Sequence, residues 1–190
     1  MSKINWALDP VHSEIVFKIK HLMITTVSGQ FKKFNLEVET SSDDFNSATK
    51  IAFTADVDSV STNDNQRDGH LKSADFFDAE KFPQLIFTGK KYEGDGDEGK
   101  ITGDLTMHGV TKPITLNVEF GGIVKDPYGQ TKAGFTVTGK LSRKEFGLSW
   151  GAVTEAGNVL LGDEVKINAE IQLIKKADQV VDEKQLAETV

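Results

Sequence analysis

Apolar and polar residues alternate with a period of two along most of this chain. Val165, Ile167, Ala169, Ile171 and Leu173 are separated by Lys166, Asn168, Glu170 and Gln172. Ile114, Leu116, Val118 and Phe120 alternate with Thr115, Asn117 and Glu119, and Ala133, Phe135, Val137, Gly139 and Leu141 alternate with Gly134, Thr136, Thr138 and Lys140. The same rhythm runs through Ile15/Phe17/Ile19, Phe34/Leu36/Val38, Ile51/Phe53/Ala55/Val57, Leu85/Phe87 and Ile101/Gly103/Leu105/Met107. Strands with one buried and one wet face pair antiparallel. Turn-forming clusters at Glu93–Gly99, His108–Pro113 and Asp126–Gln130 separate the segments. The pattern predicts an all-β chain of about eight strands in up-and-down order.

Such strands either pack as a sandwich or close into a barrel. The inward phase holds Gly29, Ala55, Gly89, Gly103, Ala133, Gly139 and Ala169 beside Phe17, Phe31, Phe34, Phe53, Phe87, Phe120 and Phe135. Small residues among rings are compatible with an apolar void. They are equally compatible with glycines that permit a bulge or make room for a neighbouring ring. A barrel of this size is filled by its own side chains or holds one small ligand.

One stretch breaks the rhythm. Thr62–Pro83 is long for a connection without structure of its own. Asn65–Ser73 reads as a short helix with Asp64 or Thr62 as N-cap. Asp75-Phe76-Phe77-Asp78 would fold back as an aromatic plug, with Pro83 opening the next strand. Two readings stand: a lid over one end of the β-structure, or a connecting loop anchored by two phenylalanines.

The 190 residues suit a single domain, expected over 1–176, with 177–190 a short helix or a disordered tail. The net charge of -7 is dispersed, with no basic stripe for nucleic acid. Cysteine is absent, which removes disulfides, thiol nucleophiles and Cys-ligated metal. No stretch has the apolar length of a membrane span or a secretory signal, so the expectation is a soluble cytoplasmic protein.

Candidate chemistry is sparse. His12, His21, His70 and His108 lie far apart without a ligand-pair spacing, so no metal is expected. No Gly-x-Ser-x-Gly motif is present. Only Arg67 and Arg143 among the 22 cationic residues are arginine. Their planar forks suit bidentate pairing with carboxylates or carbonyls that fixes the lid and the last connection.

The ordered set of these segments resembles the YceI-like family of lipocalin-like, polyisoprenoid-binding proteins, from Trp6 to about Lys175. It comprises Trp6-x-x-Asp9-x-x-His12-Ser13 with Phe17 and His21, Gly29-x-Phe31, and Arg67-Asp68-x-His70-Leu71. Ser73-x-Asp75-Phe76-Phe77-Asp78, Phe82-Pro83, Gly103-Asp104-Leu105-Thr106, Gly109-x-Thr111-x-Pro113 and Arg143-x-x-Phe146-Gly147 complete it. The resemblance implies an extended eight-stranded antiparallel barrel, lipocalin-like, that holds an amphiphilic chain such as a polyisoprenoid or quinone tail. Many members of the family carry an export signal and none is expected here, so a periplasmic carrier role is not carried over from the resemblance.

Strand phase and loop position then nominate the lining: Phe17, Ile19, His21, Phe31, Phe53, Phe76, Phe77, Phe87, Gly103, Leu105, Met107, Leu116, Val118, Phe120, Phe135, Val137, Phe146, Ile167, Ala169 and Ile171. Asp9, His12, Arg67, Asp68, His70 and Arg143 are expected to be structural. Non-enzymatic binding of a lipid, for storage, sequestration or transport, is the leading reading, with no cofactor beyond that ligand. The alternatives are an enzyme with His12, His21, His70 and Arg67 around the mouth, and a scaffold whose barrel is filled by its own side chains. An edge or end-to-end homodimer stays open.

Overall fold

The computed structural model describes residues 3–151 and 160–176, so the expectation for 177–190 lies outside the described residues. Its strands are β1 (Ile4–Leu8), β2 (Glu14–His21), β3 (Thr25–Phe31), β4 (Phe34–Thr40), β5 (Ala48–Asp56) and β6 (Val60–Ser61). They continue after helix α1 (Asn65–Lys72) with β7 (Gln84–Asp95), β8 (Glu98–Met107), β9 (Val110–Lys125), β10 (Thr131–Ser142) and β11 (Leu161–Lys175). All pairings are antiparallel, and β1 against β11 closes the sheet.

These segments form eight ribbons, three of them interrupted. β1 and β2 both pair with β11, through Leu8↔Leu173 and Glu14↔Glu170. β3 and β4 form the next ribbon, and β5 and β6 the third. The breaks fall where the ladder loses a donor or takes a tight turn: Pro10 opens a 3-10 turn, and Val57–Ser59 forms another. Backbone bonds bridge them, from Asp9 N–H to the Gln172 carbonyl (2.8 Å) and from Asp56 N–H to the Lys33 carbonyl (2.9 Å). The barrel therefore remains closed while its wall bends. The eight-stranded closed antiparallel barrel expected above is the fold.

The turns are tighter than their residue clusters suggest. Gly96 and Asp97 alone join β7 to β8, and Pro113 lies within β9 opposite Asp104 rather than in the turn. At Asp126–Gln130 the Asp126 carboxylate accepts the N–H groups of Tyr128 and Gln130, each at 2.9 Å, as an Asx-type turn.

Two cores lie along the barrel axis. The one away from α1 gathers Trp6, Val38, Phe45, Ala133, Ile171 and Leu173. The Trp6 indole N–H donates to Thr40 Oγ1 at 3.0 Å, so its polar atom stays satisfied at 1 % exposure. Phe45 enters from the β4–β5 connection and sits 4.9 Å from the Trp6 ring and 4.8 Å from Phe135. The core under α1 gathers Phe31, Val57, Val60, Leu85, Phe87, Leu105, Met107, Phe146 and Leu148.

Candidate functional site

Between the two cores the lumen holds a cavity of about 480 Å³ with an overwhelmingly apolar lining. That falls within the usual range of small-molecule sites, about 300–1,000 Å³. The walls come from alternate residues of every ribbon: Ile15, Phe17 and Ile19 from β2, Leu36 and Val38 from β4, and Ile51 and Phe53 from β5. Leu85 and Phe87 of β7, Leu116 and Val118 of β9, and Val165, Ile167, Ala169 and Ile171 of β11 continue them. Polar side chains gather at the end under α1, where His21, Thr62, Arg67, His70 and Arg143 border the space; Tyr92 is the exception, in the wall of β7.

The segment 62–83 is the lid. Asp64 is the N-cap of α1, its carboxylate accepting the Arg67 N–H at 2.9 Å. Asp68, buried, accepts from the Thr62 N–H (2.8 Å) and hydroxyl (2.5 Å), while Arg67 donates to Thr62 Oγ1 (2.7 Å) and to the Thr62 carbonyl (2.6 Å). The helix is thereby tied to the end of β6. Phe76 and Phe77 fold back as anticipated. Phe76 meets His70 edge-on (5.0 Å) and packs at a tilt against Trp150 (5.0 Å), and Phe77 meets Phe31 edge-on at 5.9 Å. Pro83 ends the lid with its carbonyl accepting from Val57 N–H at 2.9 Å, and β7 begins at Gln84.

Arg143 anchors the other side of the mouth. At 3 % exposure its fork donates to the carbonyls of Gly162 (2.8 Å), Leu148 (2.6 Å), Trp150 (2.6 Å) and Leu161 (3.2 Å). Desolvation pushes this guanidinium below its ordinary pKa, and nearby Asp163 works against that push. Burial alone would raise the pKa of Asp163. The Ser142 hydroxyl, the Lys144 N–H and the nearby cations Lys144 and Arg143 outweigh it and hold the carboxyl below the usual range.

Asp9 and His12 lie away from the mouth, at the β1–β2 break. Burial works against ionising Asp9, but bonds from His12 Nδ1 (2.8 Å) and Lys132 Nζ (3.1 Å) prevail and bring its pKa to about 2. Gln172 Nε2 adds a third donor at 3.0 Å. This cluster pins the interrupted ribbon to β10 and β11. Of His12, His21, His70 and Arg67, read as a group around the mouth, His21, His70 and Arg67 border the lumen and His12 does not, while His108 packs on Phe82 (5.0 Å) and bonds to the Phe146 carbonyl.

Of the residues nominated for the lining, Phe17, Ile19, His21, Phe31, Phe53, Phe76, Phe77, Phe87, Leu105, Met107, Leu116, Val118, Phe135, Val137, Ile167, Ala169 and Ile171 border the cavity. Gly103, Phe120 and Phe146 do not. Phe120 points inward but stacks on Phe135 at 5.1 Å and joins Phe45 in the far-end plug. Phe146, 1 % exposed, packs beneath the rim in a 3-10 turn whose exit needs Gly147 at φ 78°. At Gly103 a Cβ would lie 2.6 Å from the Phe87 ring, and at Gly29 it would collide with the Phe17 ring. These glycines make room for rings, which lie along the wall and leave the lumen open. Phe45 and Trp150 carry no strand phase, so pattern reading passes over both.

A family model for the YceI-like domain matches residues 6–173. The chain belongs to the YceI-like family. A UPF0312 protein of Staphylococcus aureus (strain USA300) is 39 % identical over 166 residues, covering 87 % of this chain and 94 % of the relative. The crystal structure of a Campylobacter jejuni YceI protein aligns at 38 % identity with a TM-score of 0.71, covering 90 % and 97 % of the two chains. A domain from Saccharophagus degradans described as polyisoprenoid-binding aligns at 15 % identity and TM-score 0.64, covering 90 % and 98 %, a likeness of fold alone.

Proposed function

We propose that this YceI-like protein binds a long apolar chain, a polyisoprenoid or isoprenoid quinone, inside the barrel without chemically altering it. The observation that carries the reading is the polarity of the lumen: an apolar cavity of about 480 Å³ whose polar groups, Tyr92 apart, sit at the lid end. An amphiphile matches that gradient, with its chain against the phenylalanines and its head beside Thr62, Arg67 and His70. Each buried methylene contributes about 0.8 kcal/mol, so a long chain outweighs much of the cost of ordering it and leaves slowly. The description of the Saccharophagus degradans domain as polyisoprenoid-binding agrees with this ligand class. Turnover has little support at the mouth, because Arg67 and Arg143 are engaged with Thr62 and with backbone carbonyls.

The test is organic extraction of the purified protein followed by mass spectrometry, on wild type and on Ala169→Phe. Ala169 borders the lumen, so a ring there takes space that the ligand needs. Stoichiometric lipid in wild type and its loss from the variant is the expected result. The delipidated variant should melt within a few degrees of delipidated wild type. Wild-type protein free of lipid, or a variant that retains it, would sink the proposal. Gly103→Phe is unsuitable, since the new ring would strike Phe87 and the wall.

A further inference from the structure

The β2–β3 turn projects from the lid end of the barrel. Leu22 and Met23 both take left-handed backbone conformations, at φ 53° and 58°. Met23 and Ile24 are 58 % and 77 % exposed. This tip adjoins the opening. His21 and Val27, on either side of it, border the cavity, and the Leu22 N–H bonds at 2.8 Å to the carbonyl of Leu160, another lining residue.

The outer wall below the tip is basic, in a chain of net charge -7. Lys140, Lys166 and Lys18 stand in one cross-strand row over β10, β11 and β2, with Lys20 nearer the tip. Like charges directly opposite one another destabilise a sheet. Among the described residues Lys18, Lys20 and Lys166 make no ion pair, and Lys140 only reaches Glu164 at 3.9 Å. Asp163, next to Glu164 on β11, is engaged with Ser142 and the Lys144 N–H. Farther from the mouth the same pair of strands carries Glu14 opposite Glu170. The wall is thus basic beside the opening and acidic away from it. Val124 and Tyr128 are also exposed, but they flank the far-end turn, remote from the mouth.

We propose that Met23 and Ile24, with Lys18, Lys20, Lys140 and Lys166 behind them, form a docking surface for an anionic lipid bilayer, from which the barrel loads or unloads through the adjoining mouth. Apolar side chains ahead of a lysine row are what an interfacial anchor needs: rings or aliphatics enter the acyl boundary and cations meet the headgroups. The inference rests on the lipid-binding reading for its purpose and on this surface for its evidence.

Flotation with vesicles of phosphatidylcholine and phosphatidylglycerol tests it, with lipid content measured in parallel by extraction. Wild type should float with these vesicles, and binding should fall when salt is raised from about 0.1 M to about 1 M, as the screening length contracts. Met23→Asn combined with Ile24→Ser should weaken binding about tenfold, because both side chains leave the acyl boundary. Lys18→Gln combined with Lys166→Gln should weaken it about tenfold on anionic vesicles and leave pure phosphatidylcholine unaffected. Wild type that does not float, or a tip variant that floats equally, overturns docking. Lipid content bears on the cavity alone, so either reading can fail while the other stands.

Discussion

At the far end of the barrel Trp6, Phe45, Phe120 and Phe135 meet ring to ring, whereas at the lid end the rings of Phe76, His70 and Trp150 share the closure with two arginines and a buried carboxylate. The far end is sealed by buried rings, with the Trp6 indole bonded to Thr40 inside and Asn46 bonded to the Gly94 backbone at the surface. The lid end is held by directional bonds to Thr62 and to four carbonyls around Arg143. Of the eight residues of α1 only Asp68 is buried, and Gly69 sits in its interior. An element with few buried apolar contacts opens at low free energy, whereas an aromatic core opens only with the whole domain. The ends of one barrel are thus built differently, and the lid end is the one through which the proposed ligand would pass.

The comparison can be broken most severely at Trp6. Trp6→Ala should cost about 3–5 kcal/mol in denaturant unfolding, because the cavity it leaves is walled by closed strands and Thr40 loses its donor. A loss near zero would mean that the far end is not the more rigid one. At the lid end, Arg143→Lys keeps the charge but not the fork. It should cost about 1–3 kcal/mol as carbonyls lose their donors, with faster amide exchange confined to 143–151 and 160–163. Equal acceleration around Trp6 would erase the distinction between the ends.

The smallest effect concerns pH. The carboxyl of Asp9 is held at about 2, below its ordinary 3.8. A depressed folded-state pKa gives stability that is present above the unfolded value and lost as pH falls through the folded one. The advantage of wild type over Asp9→Asn should therefore be flat from neutrality to about pH 4 and disappear towards about pH 2. Asp163, depressed for similar reasons, should do the same for the lid end when tested as Asp163→Asn. A difference that grew on acidification would contradict both assignments.

Much of this was readable in the order of residues. Strand phase picked out walls that do border the lumen, such as Phe17, Phe53, Leu116 and Ile167, and Asp64 announced the helix that it caps. The two arginines were recognisable as clamps from their rarity among lysines. Other features escaped. Phe45 and Trp150 lie outside any alternating run, yet the first plugs the barrel and the second packs edge-on against His70 of the lid. The interruptions at 9–13, 32–33 and 57–59 divide ribbons that read as continuous or as separate strands, and they align only once neighbouring ribbons are paired.

What the chain determines by itself is which side of a pleat each residue occupies, because side-chain alternation is set by local backbone geometry. Whether an inward residue then meets empty space or a neighbour is decided by closure and register. Phe120 and Val118 share both a phase and a register against β10, but Phe120 lies opposite Phe135 and beside Phe45, which arrives from a distant connection, and so joins the plug, while Val118 faces the lumen. Gly103 shares a phase with Leu105, but the ring of Phe87 from the next strand already covers it. Those contacts join residues far apart in the chain, so no local pattern contains them. They exist only when the sheet has closed.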